Sequence, residues 1–238
     1  MSQIDQIKAL FSQAAEQSTI SPSMFFKIGE GHYASHDKFL GIPVPELRKI
    51  AKEFAGLPLG DIKLFLTSPF NEERMFALIL LVNQYQKSDE KTREQIFNFY
   101  LNNLQYVNNW NLVDCSAHLI FGRHLFGKDV GHFFLLTKSA DLWERRIAVV
   151  ASWYFIKKNS FDLTLQLAEN LMTDQHDLMH KACGWMLREV GKKNEAVLRK
   201  FLDLHAARMP RTMLRYAIEK FADCDRGFYL SIARLKES

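Results

Sequence analysis

The sequence predicts an all-α protein, a right-handed α-solenoid of HEAT-like helical pairs whose curvature makes a concave face. Three observations lead there. Apolar residues recur at helical spacing along most of the chain, and no alternating apolar and polar run marks a strand. Only six prolines and eleven glycines punctuate 238 residues, which suits long helices with short joints. A small residue returns near the start of every second helix, at Ala77, Asp114, Ala148, Ala182 and Ala217, with intervals of 37, 34, 34 and 35. The fixed Trp, Gly and Tyr of the tetratricopeptide pattern are missing, and the looser HEAT-like pairing fits the period. A generic helical bundle with a chance period is the competing interpretation. Either way, the length is enough for one large or two small cores, and a single HEAT-like repeat domain over residues 1–238 is expected.

The elements follow in order. Ile4, Ile7, Leu10, Phe11 and Ala14 make an amphipathic helix over 3–16. A break at 19–22 precedes a short helix through 24–28, and the polar stretch 29–38 is a loop. Pro45 can open a helix because its missing N–H would be unpaired there. Leu47, Ile50, Ala51 and Phe54 carry that helix on, and Gly56 with Pro58 stops it. Helices then read at 59–67, 70–86, 89–104, 110–127, 130–138, 142–158, 161–173, 177–192, 194–206, 210–222 and 225–236.

Composition narrows the class. Apolar residues make up 47 % of the chain, enough for a real interior. The net charge of +4 and pI near 8.9 give a mild basic excess that does not by itself specify nucleic acid. Cys115, Cys183 and Cys224 are odd in number and far apart, which argues against a disulfide framework or zinc site and for a reducing cytosol. The N-terminus lacks the apolar core of a signal peptide, and the most apolar run, 76–82, is far too short to span a bilayer. No HExxH, GxGxxG, Walker loop or GxSxG occurs, so neither a metal nor a nucleotide cofactor is expected.

The most informative stretch is Asn108-Asn109-Trp110-Asn111-Leu112-Val113-Asp114. Its asparagines favour a helix cap. Trp110 and Asp114, four apart, share a helix face, and an indole beside a carboxylate suits a cationic ligand. The structural alternative makes Trp110 core and Asp114 an ordinary first-turn acid. Cys115 reads as buried and inert.

Cations sit where the helix dipole disfavours them. Arg145 and Arg146, then His180 and Lys181, then Arg211, all fall in first turns, and Arg74 and Arg215 stand just ahead of the repeating small residue. Helix starts with nearby guanidinium groups bind phosphate, so these residues could line one edge as a track for a nucleic-acid backbone. Rim salt bridges, such as Arg188 with Glu189, are the other possibility. Gly184, inside a strong helix, implies a close neighbour, while Trp143 and Trp153 read as core or interface.

Four segments, in order, give the chain a resemblance to the AlkD family of DNA alkylation repair proteins, the HEAT-like repeat DNA glycosylases. They are Phe39-Leu40-Gly41-Ile42 with Pro45-Glu46-Leu47-Arg48, Trp110 to Asp114, Leu142-Trp143-Glu144-Arg145-Arg146, and Lys181 to Glu189. The resemblance implies excision of purines alkylated at N3 or N7 from duplex DNA held in the concave face, without base flipping and without a cofactor. It places the family aspartate at Asp114, the lesion-facing tryptophans at Trp110 and Trp185, the key arginine at Arg146 and a further basic position at Arg188. Asn109 departs from the family, where two adjacent tryptophans can stand. On this reading Arg146 meets a flanking phosphate, and Trp110, Asp114 and Trp185 serve one hollow bordered by cations, with Arg145, Lys181, Arg188, Arg211 and Arg215 on the DNA. The protein is then expected to be an elongated monomer of the cytoplasm, at the nucleoid when bound to DNA and never at a membrane. The alternative is a non-catalytic HEAT-like module that binds DNA or a protein.

Overall fold

The computed structural model describes residues 2–234. The chain is all-α, a helical-repeat fold, and no strand occurs among the described residues. A single isolated bridge pairs Lys38 with Phe70. The chain divides into two compact units, Met1–Ser116 and Ala117–Ser238.

The first unit contains α1 (Gln3–Glu16), α2 (Val44–Glu53), α3 (Leu59–Leu66), α4 (Asn71–Lys87), α5 (Glu90–Leu101) and α6 (Trp110–Ser116). Ser2 and Asp5 form a reciprocal capping box that starts α1. Helix α4 is the centre of this unit, packing against α2, α3, α5 and α6. Its apolar residues surround the axis, and Met75 through Val82 are all buried. Phe76 meets Phe11 and Phe65 edge-on, with ring centroids 5.1 and 5.2 Å away. Such pairs add about 0.5–1.5 kcal/mol each beyond burial. The helix expected at 24–28 is only a 3-10 turn at Pro22–Met24. Beyond it, Phe26 leaves helical geometry and turns its ring toward Phe39 and Trp110.

The connection from 18 to 43 is tied to its surroundings by specific bonds. Gly41 has φ +77, the left-handed region that glycine tolerates best. Its carbonyl accepts from Ser18 Oγ at 2.5 Å. The N–H groups of Leu40 and Gly41 donate to the two carboxylate oxygens of Glu72 at 3.0 and 2.8 Å. Burial pushes the Glu72 carboxyl above its usual value, against the pull of these bonds.

The second unit contains α7 (Arg123–Leu125), α8 (Gly131–Thr137), α9 (Leu142–Ala151), α10 (Trp153–Lys157), α11 (Asp162–Asn170), α12 (Asp177–Lys193), α13 (Glu195–His205), α14 (Arg211–Ala217) and α15 (Asp223–Arg234). Two expected helices prove to be broken. The span 110–127 passes through a π turn at His118–Gly122, where Gly122 N donates five residues back to Ala117 O at 2.9 Å. The span 142–158 bends at Ser152, whose hydroxyl donates to Val149 O at 2.7 Å and accepts from Thr164 at 3.0 Å. Back-bonding of this kind competes with the helix ladder. Helix α14 stops at Ala217, short of 222, and α15 starts two residues before the expected 225. The final residues of that expected helix, 235 and 236, lie outside the described residues.

Helix α12 is the second unit's centre, in contact with α9, α10, α11, α13 and α14. Gly184 explains its closeness to α14. A Cβ there would lie 2.5 Å from both Met213 O and Tyr216 Cβ. Helix propensity alone favours alanine over glycine by about 1 kcal/mol. Gly184→Ala should nevertheless lose about 1–3 kcal/mol through overpacking. The midpoint of urea unfolding checks this, and a midpoint that rises would refute the close approach.

Candidate active site

The repeating small residue has a clear packing role. Ala77, Ala148 and Ala182 are wholly buried and Ala217 nearly so. Asp114 occupies the same place in the repeat and is only half-buried. It lies on α6 one turn after Trp110, so the indole and the carboxylate share a helix face as expected.

The start of α6 is held firmly. Asn109, fully buried, accepts the Trp110 N–H on Oδ1 at 2.7 Å and donates through Nδ2 to Asp37 at 2.6 Å. This is the physical sense of the asparagine beside Trp110: it caps the helix and anchors it in one step. Asp37 also accepts from Asn71 Nδ2 at 3.0 Å, is paired with Arg74, and lies 3.3 Å from His36 Nε2. Asn71 and Asn111 exchange amide bonds, the shorter being 2.7 Å. At the other end of α6, the Ser116 hydroxyl lies 3.0 Å from the buried Tyr100 hydroxyl. Nothing in the local sequence marks Asp37, which lies in a polar loop and reaches its partners across 34 to 72 residues.

Trp110 is half-buried. Phe26 stacks on it at 5.4 Å and 28°, and Phe39 lies 4.8 Å beyond Phe26. Phe26 and Trp110 line an apolar cleft of about 320 Å³, together with Ile42, Pro43, Leu47 and Met75, with Asn111 among its few polar groups. Cys115 is half-buried rather than fully enclosed, with Sγ 3.3 Å from Leu112 O. Its thiol is still pushed up to about 12, chiefly by burial and then by the Asp114 charge, while Arg48 pulls the other way. It is inert for that reason.

In the second unit, Lys181, Trp185 and Arg188 form a half-exposed stripe along α12, at helical intervals of four and three. Lys181 pairs with Asp177 at 2.5 Å and holds that carboxyl below its usual range. Trp185 meets Trp153 edge-on at 5.1 Å, and Lys157 Nζ sits 4.0 Å over the Trp153 ring. Arg188 pairs with Glu219. Trp143 is core, as expected, whereas Trp153 is half-buried within this aromatic cluster.

The first-turn cations do something the sequence did not reveal. Arg74 Nη1 donates to Ser68 O at 2.8 Å, Arg145 Nη1 to Ser139 O at 2.9 Å, and His180 Nε2 lies 2.5 Å from Asp174 O. Each reaches six residues back to the carbonyl of the preceding joint. Arg145 further binds Ala140 O and Asp174, and Arg211 donates to Leu230 O at 2.7 Å. Arg146, expected to meet phosphate, is 5 % exposed and donates to Leu178 O at 2.9 Å in the first turn of α12. Of this basic set, Arg215 alone is classed as exposed. The continuous basic track inferred from helix starts is therefore largely a set of internal clasps.

Thiol chemistry tests the burial around the site. Cys183 is buried and its thiol, too, is pushed to about 12, whereas Cys224 is exposed. Iodoacetamide at neutral pH should label Cys224 quickly in the native protein and all three cysteines after denaturation. Fast native labelling of Cys115, read by mass spectrometry, would contradict this packing.

Comparison with known proteins gives these features a context. The sequence profile of a family described as DNA alkylation repair enzyme matches residues 7–221. Among solved structures, one described as a predicted DNA alkylation repair enzyme from Enterococcus faecalis is similar in fold, with a TM-score of 0.64 and 19 % identity, covering 80 % of this chain and 92 % of that one. No curated protein matches. Because the family profile runs through nearly the whole length, from α1 to the end of α14 and beyond, the chain belongs to the DNA alkylation repair enzyme family.

Proposed function

We propose that the protein is a monofunctional DNA glycosylase that releases purines alkylated at N3 or N7 from duplex DNA, without flipping the base. The observation that carries this reading is Asp114. A half-exposed carboxylate stands where the other repeats place a buried alanine methyl, one turn from a half-buried indole. Packing alone would favour alanine there.

The chemistry fits such a pair. Alkylation at a ring nitrogen makes the purine cationic and a good leaving group. As the N-glycosidic bond breaks, its electron pair leaves with the base and positive charge grows at C1′ of the sugar. A fixed carboxylate stabilises that charge and accepts a hydrogen bond from the water that adds to C1′. An indole favours both the cationic base and the sugar C–H groups. Taken by itself, the second unit offers DNA the α12 stripe of Lys181, Trp185 and Arg188, with Arg215 meeting phosphate. Arg146 acts by holding Leu178 at the start of α12, Arg145 by closing the joint before α9, and Arg211 by tying the start of α14 to Leu230 of α15.

Two measurements test this. Asp114→Asn should slow release of 7-methylguanine from methylated duplex by about 100-fold or more, a typical cost of losing an electrostatic stabiliser, with DNA affinity nearly unchanged. Full release by that variant would remove Asp114 from the mechanism. Separately, Arg215→Ala should lower the slope of log K against log salt by about one contact. Arg146→Ala should leave the slope alone and lower the melting temperature, and a shallower slope would mean that Arg146 does touch phosphate.

A further inference from the structure

We infer that Asp37, acting through Asn109, is a positioning residue that fixes Trp110 and Asp114 for the reaction, an inference that rests on the function proposed above. The argument begins with what the repeat lacks. Arg74 and Arg145 clasp the carbonyls of their own joints, and 71 positions separate them. The register that aligns Ala77, Asp114 and Ala148 puts the uncharged Asn111 at the matching place, three residues ahead of Asp114. At this joint the helix start is held instead by an amide with two jobs. Asn109 Oδ1 takes the Trp110 N–H at 2.7 Å, and Nδ2 gives a 2.6 Å bond to Asp37.

Asp37 is a strong anchor for that amide. Its side chain is fully buried. Arg74 neutralises it, Asn71 donates to it at 3.0 Å, and His36 lies 3.3 Å away. A hydrogen bond from an amide to a charged, desolvated carboxylate is short and directional. It sets the orientation of Asn109, which sets the first peptide of α6. Trp110 begins that helix, and Asp114 follows one turn later. Reactive geometry is sensitive to about 1 Å of misplacement. Loosening this anchor should therefore slow the chemistry more than it weakens DNA binding.

The experiment uses the full chain labelled with 5-fluorotryptophan, the Trp110 resonance being assigned by its loss in Trp110→Phe. Three variants are compared. Asn109→Ser keeps a capping oxygen but is too short to reach Asp37. Asn109→Asp keeps the length but sets a carboxylate against Asp37. Asp37→Asn with Asn109→Asp restores an amide–carboxylate pair in the reverse sense. In both single variants the Trp110 resonance should shift or broaden. Single-turnover release of 7-methylguanine should fall about tenfold or more, with duplex affinity within about twofold. The reversed pair should recover both readouts, which lost stability alone would not predict. A Trp110 resonance unmoved in Asn109→Asp overturns the inference, and so does a reversed pair no better than that single variant. If the wild-type protein releases no base, the glycosylase reading fails, and the fluorine spectra alone decide the role of Asp37.

Discussion

Backbone carbonyls at the joints between helices are the constraint around which this chain is arranged. A joint leaves carbonyl groups without a helical partner, and one that is buried, as at Ser68, costs about 1–3 kcal/mol if left unmade. The chain answers with a basic side chain six residues further on. Arg74, Arg145 and His180 all reach back over that same interval. Placing a cation in a first turn works against the helix dipole by a few tenths to about 1 kcal/mol. Satisfying a carbonyl with a charged donor offsets that cost, so these positions need no ligand to explain them.

The exception to this rule is what makes the α6 region distinctive. Where the spacing would put another clasping cation, the chain has Asn111, which bonds Asn71, and where it would put another buried alanine it has Asp114. The joint is held together by amides, and the charge that steadies them, Asp37, comes from 72 residues away. The consequence is a helix start that carries an indole and a carboxylate at the surface without an arginine beside them in the first turn. Phe26 stacks on the indole and Phe39 packs on Phe26. The aromatic face, with a carboxylate one turn away, belongs entirely to the first unit.

The second unit contributes differently. Its central helix, α12, keeps a close neighbour through Gly184 and presents Lys181, Trp185 and Arg188 on its open side. Two of the arginines that look most like phosphate ligands in the sequence, Arg145 and Arg146, spend donors on Asp174, Ser139, Ala140 and Leu178. They hold the start of α12 and its preceding joint in place. What these arginines leave on the open side of the second unit is chiefly the α12 stripe.

Local order was legible without coordinates. The helical class, most of the helix spans, the period of the repeat, the close approach at Gly184 and the shared face of Trp110 and Asp114 all follow from spacing along one chain segment, because a helix repeats every 3.6 residues whatever surrounds it. The bend at Ser152 and the π turn at His118–Gly122 were not legible, since packing against neighbouring elements overrides propensity at such points. Nor could spacing tell which cations were committed inside, or that Asn109 and Asp37 meet. Those facts depend on side chains brought together across tens of residues, and only tertiary structure decides which donor reaches which acceptor.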